Sequence, residues 1–134
     1  MNLNLFLLFL TTLITVVLSE NVFIKLKNRP LFWSLRGDMV VLEGLPFPWK
    51  FENNRISPLF QGNLFVQCND IDRPLTVKPP DSKPDQLWEF QDSTFLCKAK
   101  SPEPEFANVI FEEPGEPVIT GPNNHSLWEK ITLI

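Results

Sequence analysis

The chain has 134 residues, 43% of them hydrophobic and 21% charged, with 16 acids against 12 Lys and Arg for a net charge of −4. That balance lacks the cationic sheath that neutralises phosphates, so nucleic acid is not an expected partner. One histidine and two cysteines fall short of the four ligands of a structural zinc site, and any triad chemistry would depend on His125 alone.

In chain order, the first feature is an uncharged run, LFLLFLTTLITVVL, over residues 5–18. Such a run is shorter than the roughly 20 residues a spanning helix needs and suits the core of a signal peptide, about 7–15 residues long. Val17 and Ser19 are small enough for the −3 and −1 positions of a cleavage site. The expectation is a signal peptide over 1–19 and a secreted, extracellular domain over 20–134, with no membrane span after cleavage. In an oxidising compartment Cys68 and Cys97 are expected to form a disulfide, worth roughly 3–4 kcal/mol in the chain-entropy picture. Two buried thiols are the alternative reading.

From residue 20 onward helical periodicity is absent, and the 13 prolines punctuate short β-branched and aromatic runs. Strands are predicted over 22–27, 30–35, 40–42 and 47–52, then over 55–60, 63–68, 75–77 and 86–91. The last four fall over 94–100, 108–113, 118–120 and 126–131. The order repeats because Trp49, Trp88 and Trp128 recur at intervals of 39 and 40 residues within similar flanks. Alternation places Leu31, Trp33 and Leu35, then Leu64, Val66 and Cys68, then Val109 and Phe111 on the core face. Ser34, Gln67 and Glu112 fall on the opposite face. Three lobes of about four strands, over approximately 20–52, 53–91 and 92–134, suggest closure about a pseudo-threefold axis that removes sheet edges. The chain is predicted to be all-β.

With that spacing and the intact Gln86-Leu87-Trp88, the sequence resembles the β-trefoil of the ricin B-type lectins, whose Gln-x-Trp signature occurs once per lobe. Ser126-Leu127-Trp128 and Phe47-Pro48-Trp49 keep the tryptophan without the glutamine. The resemblance implies a twelve-stranded β-trefoil that binds glycans or glycoproteins, is not an enzyme, and uses no cofactor or metal. It marks Trp49, Trp88 and Trp128 as structural. It also assigns sugar contacts to an outward Asp on the strand before the tryptophan, an aromatic platform, and an Asn or Gln beside the signature. The platform has no clear counterpart at Thr76, Lys78 or Thr120. The other positions hold Gln67 with Asp85 and Gln86 in lobe two, and Glu112 with Asn124 or His125 in lobe three. Lobe one, with Ser34, Pro46 and Phe47, is expected not to bind in this way. A different class shares the architecture: a protease inhibitor or cytokine-like ligand docking through the proline-stiffened loops 78–86 and 100–107. A structural coat component is the third reading.

Two short motifs complete the inventory. Arg36-Gly37-Asp38 matches an adhesion tripeptide, but its Gly-Asp pair is ordinary hairpin-turn chemistry and is read as such. Asn124-His125-Ser126 is an acceptor for N-glycosylation, and a glycan there is expected to obstruct the lobe-three site.

Overall fold

Each lobe supplies four short strands. A computed structural model describes residues 19–99 and 103–134, so the expected leader, Ser19 apart, lies outside the described residues. Lobe one contains β1 (Glu20–Leu26), β2 (Phe32–Arg36), β3 (Met39–Glu43) and β4 (Trp49–Glu52). Lobe two contains β5 (Arg55–Pro58), β6 (Phe65–Gln67), β7 (Thr76–Lys78) and β8 (Trp88–Gln91), with a 3-10 turn at Pro84–Gln86 before β8. Lobe three contains β9 (Thr94–Cys97), β10 (Glu105–Asn108), β11 (Ile119–Gly121) and β12 (Trp128–Thr132).

Six strands close into a barrel. The β4–β5 hairpin turns on Asn53 and Asn54 at φ 53° and 61°, and the β8–β9 hairpin turns on Asp92 and Ser93 at φ 53° and 64°. Two successive left-handed residues match the twist of the strands they join, and Asn and Asp tolerate that region best. Strand β1 pairs with β12 from Val22↔Thr132 to Leu26↔Trp128 and with β4 from Glu20↔Phe51 to Val22↔Trp49. The other two seams hold by single bonds of one kind: Trp88 N donates to Asn54 O and Trp128 N to Ser93 O, both at 2.7 Å.

The other six strands form three hairpins, β2–β3, β6–β7 and β10–β11, that cap the barrel. They meet in a ring of backbone hydrogen bonds: Val40 N to Leu75 O at 2.9 Å, Leu75 N to Val118 O at 2.8 Å, and Val118 N to Val40 O at 3.0 Å. All three residues are fully buried. A second threefold set joins cap to barrel. The indole Nε1 groups of Trp49, Trp88 and Trp128 donate to the carbonyls of Trp33, Val66 and Ala107 at 3.0, 3.0 and 2.9 Å. A buried indole N–H usually finds an acceptor, and these three tryptophans satisfy the donor and fill the core together. The indole N–H of the fourth, Trp33, has no partner among the described residues.

The core is asymmetric in content. Trp33, fully buried, meets Trp128 and Trp49 edge to face at 5.5 and 6.2 Å and lies 5.1 Å from Phe95. Valine and alanine stand at the equivalent positions 66 and 107. The Cys68–Cys97 disulfide is formed and buried, tying the end of β6 to β9 across two lobes.

The indole acceptors also correct one strand. In lobe three the second strand, predicted over 108–113, lies at Glu105–Asn108, so residue 107 rather than 111 aligns with Trp33 and Val66. Phe111, expected in the core, is 61% exposed, and Glu112 sits in the loop after β10. Two features hid the true strand. Ala107 carries little apolar signal, and Glu105 is a buried acid where Leu31 and Leu64 stand. The strand predicted over 55–60 ends at Pro58, leaving Phe60 85% exposed.

Truncating Trp33 removes one of four fully buried tryptophans and leaves a cavity that backbone shared by three lobes cannot collapse to fill. Trp33→Ala is expected to lower unfolding free energy by about 3–5 kcal/mol in urea titration. Phe60→Ala is expected to stay within about 0.5 kcal/mol of the parent.

Candidate functional site

The lobe-three loops are held from beneath by Asn108, which is fully buried. Its Nδ2 donates to Asn123 O and its Oδ1 accepts from Ser126 N at 3.2 Å, while Ser126 Oγ accepts from Val109 N at 3.0 Å. This small network fixes both chain segments and turns His125 and Leu127 outward. Lys27 N donates to Leu127 O at 2.9 Å, which seats the β1–β2 turn alongside, with Asn28 at φ 66°.

Between these segments lies a groove of about 340 Å³ whose lining includes Lys27, Asn28, Ile110, Glu112, His125 and Leu127. The structure therefore brings two of the sequence-derived residues, Glu112 and His125, into one space. Glu112 reaches Arg29 Nε at 3.7 Å, an exposed ion pair of the kind worth little. Ile110 and Leu127 are 63% and 41% exposed and give the groove an apolar wall. Asn124 is also exposed but lines a separate groove of about 270 Å³ with Thr94, Pro104 and Phe106. The Glu112–Asn124 pairing is not assembled. A modification on Asn124 would start in that second groove rather than beside Glu112.

Lobe two is organised differently, as an internally bonded network. Gln86 is fully buried, with Nε2 donating to Pro79 O at 2.8 Å and Oε1 accepting from Asp81 N at 3.1 Å. Its amide folds the loop before β8 and has no exposed surface. Gln67 donates to Asn69 Oδ1 at 3.0 Å, and Asn69 donates in turn to Pro74 O at 2.9 Å and Thr76 Oγ1 at 3.0 Å. Neither Asn69 nor Thr76 belongs to a motif visible in the sequence. The Asp85 carbonyl accepts from Cys68 N at 2.9 Å. Its carboxyl titrates above the usual aspartate range, first because burial penalises the charged form and then because Asp81 stands beside it.

Lobe one brings no such set together. Phe47 packs on Trp49 at 5.2 Å, and Ser34 pairs with Val41 within the β2–β3 hairpin. The tripeptide occupies the hairpin tip, Gly37 at φ 66°. Arg36 is ion-paired with Glu43 at 2.8 Å and Asp38 with Lys78 at 3.4 Å. That is turn and cross-strand chemistry. Beside His125, Ser126 is 6% exposed and its hydroxyl already serves Val109 N, so the neighbours are not arranged as nucleophile and base. Among the described residues no three His, Cys, Asp or Glu side chains gather as a metal site.

This architecture, a six-stranded barrel capped by three hairpins, is that of a β-trefoil. No family model matches the sequence, and no curated protein matches it. In structure it is similar to the β-trefoil lectin of the Vibrio vulnificus haemolysin/cytolysin, solved with N-acetyl-D-lactosamine bound. The TM-score is 0.70 over 87% of this chain and 96% of that one, at 15% identity. At that identity the likeness establishes the fold.

The Asp85 environment has a measurable sign. A carboxyl whose folded pKa exceeds its unfolded value binds more protons when folded, so stability falls as pH rises through the window between the two. Asp85→Asn removes the penalty. Relative to the parent, the variant is expected to melt higher at pH 7 and to show a flatter melting temperature between pH 4 and pH 7 by calorimetry.

Proposed function

We propose that the protein is a secreted, ricin B-like carbohydrate-binding β-trefoil without catalytic activity, and that the groove holding Glu112 and His125 takes the sugar. The observation that carries this reading is the convergence of those two side chains with the exposed Ile110 and Leu127. A carboxylate accepts short, charge-assisted hydrogen bonds from neighbouring hydroxyls. An imidazole donates or accepts beside it, and the aliphatic wall covers the C–H face of a sugar ring. Arg29 holds Glu112 only through a long, exposed contact, which sugar hydroxyls can displace. A groove of about 340 Å³ lies at the small end of ligand sites, about 300–1,000 Å³, and suits one sugar unit. The structural likeness to a lectin that binds N-acetyl-D-lactosamine supports the same class of ligand. In lobe two, Gln67 and Asp85 remain partly exposed beside buried Gln86 and offer a weaker second place for hydroxyls.

Calorimetric titration with N-acetyl-D-lactosamine and galactose tests the proposal. Millimolar or tighter binding is expected, weakened at least about tenfold by Glu112→Gln, as hydrogen bonds to charged groups warrant. Absence of binding at millimolar sugar, or an unchanged constant in Glu112→Gln, overturns it.

Secretion is supported by the apolar leader and by the disulfide, which persists in oxidising compartments. Expression of the full chain in a eukaryotic secretory host is expected to yield medium protein beginning at Glu20. Its mass is expected to drop on treatment with a peptide N-glycosidase, and Asn124→Gln to abolish that drop. Because Asn124 opens into its own groove, Asn124→Gln is expected to leave sugar affinity unchanged.

A further inference from the structure

We infer that the groove between the β4–β5 hairpin and β6 is a second ligand site, and that it takes a sugar residue bearing a carboxylate. This groove, about 380 Å³, is lined by Lys50, Glu52, Arg55, Ser57, Phe65 and Leu87 among others. It shares no lining residue with the lobe-three groove, where Lys27 balances Glu112, and its own lining carries an excess of cations.

Arg55 is the centre of the site. It is half-buried, with its guanidinium carbon 5.1 Å from the centre of the Phe65 ring. Stacking of this kind holds the planar fork in place. In the hairpin register Arg55 lies opposite Glu52, the acid placed to neutralise it. Glu52 is instead taken by Lys50, Nζ to Oε2 at 2.9 Å, and Arg55 forms no ion pair with a described residue. The lining thus carries two cations against one anion, and the cation left over is the one packed on an aromatic ring. A guanidinium offers two parallel N–H donors that match a planar carboxylate.

The rest of the lining selects what the carboxylate is attached to. Ser57, 4% exposed, adds a hydroxyl to the wall, as a polyol needs. Leu87 and Phe65 are only partly buried and present apolar surface to the C–H face of a ring. A neutral sugar would occupy the groove and leave Arg55 without its counter-charge, whereas a uronic or sialic acid unit supplies ring, hydroxyls and carboxylate together. The chain's net charge of −4 repels anions at long range. Selection for the acid therefore comes from Arg55 at contact distance.

The test is a chemical-shift titration of the isotope-labelled protein with glucuronic acid, N-acetylneuraminic acid, galactose and inorganic sulfate. Saturable shifts at Arg55, Phe65 and Ser57 are expected with the two acidic sugars, at constants at least fivefold tighter than for galactose. Arg55→Gln is expected to weaken acidic-sugar binding at least tenfold, and Arg55→Lys, which keeps charge but not the fork, at least threefold. Glu112→Gln is expected to leave these constants unchanged, so loss of the lobe-three site and loss of this one are read separately. Equal affinity for galactose and the acidic sugars overturns the inference. So does an Arg55→Gln variant that retains parental affinity, or sulfate binding as tightly as the sugar acids, which would mark a general anion site.

Discussion

The fold depends on a ring of three backbone hydrogen bonds in which Val40 donates to Leu75, Leu75 to Val118 and Val118 back to Val40. Each bond joins two different lobes, and none of the six groups involved has access to water at these fully buried residues. An amide left open there would bear its full desolvation cost, about 1–3 kcal/mol, so two lobes meeting without the third gain little. The ring thereby makes the three lobes one cooperative unit. The indole bonds of Trp49, Trp88 and Trp128 extend that constraint outward, because each fixes one cap hairpin to its own barrel strand. A third set works at the seams, where Leu127, Leu87 and Pro48 carbonyls accept from Lys27, Lys98 and Leu59 at 2.9, 3.0 and 3.1 Å. Backbone satisfaction sets the symmetry, and side chains adapt to it.

That division explains how such different sequences share the three lobes. At the central position a tryptophan, a valine and an alanine stand at 33, 66 and 107, and one large ring takes the volume that two smaller residues leave. Packing needs the total volume conserved across the axis, not residue identity in each lobe. The loops obey no such rule. From indole to acceptor carbonyl the chain separation is 16 residues in lobe one but 22 and 21 in the others. The short lobe closes with the Gly37-Asp38 turn and has no length left for a polar loop network. The longer lobes spend their extra residues on loops that carry Asn69, Gln86, Glu112 and His125. Differences in loop length between the lobes fall in segments the rigid frame does not need.

The tryptophan spacing made the architecture legible from sequence, because a residue so rare and so large marks a buried position that recurs once per lobe. Strand positions in lobes one and two followed from alternation for the same reason. Lobe three misled because alternation reports only apolar contrast. Ala107 inside and Phe111 outside invert it, and the strand was displaced by four residues. Glu112 was assigned to a strand face and lies in a loop, yet it still lines a groove, since both placements are outward. Gln86 shows the opposite limit. Its signature was visible, but whether an amide serves a ligand or its own loop is decided by Pro79 and Asp81, contacts that sequence does not display. Asn108 does comparable work in lobe three and carried no signature. Arg55 was invisible for a related reason: a cation becomes notable only when its nearest acid is seen to be taken by another.

The two grooves call for different physical accounts of affinity. In the lobe-three groove Glu112 is exposed and already weakly paired, so a sugar bound as proposed would replace water and a distant cation at small net gain. In the β4–β6 groove the guanidinium is half-buried and its orientation is held by Phe65, so less ordering remains to be done on binding. Neither arrangement supports tight capture of a single sugar unit. Both suit a branched or acid-capped glycan that reaches two grooves on one rigid frame, where the second contact is intramolecular and its effective concentration is set by the glycan's own length. A frame held by buried backbone bonds keeps the spacing between grooves fixed, so the same constraint that makes the lobes fold together would let two weak contacts on one glycan reinforce each other.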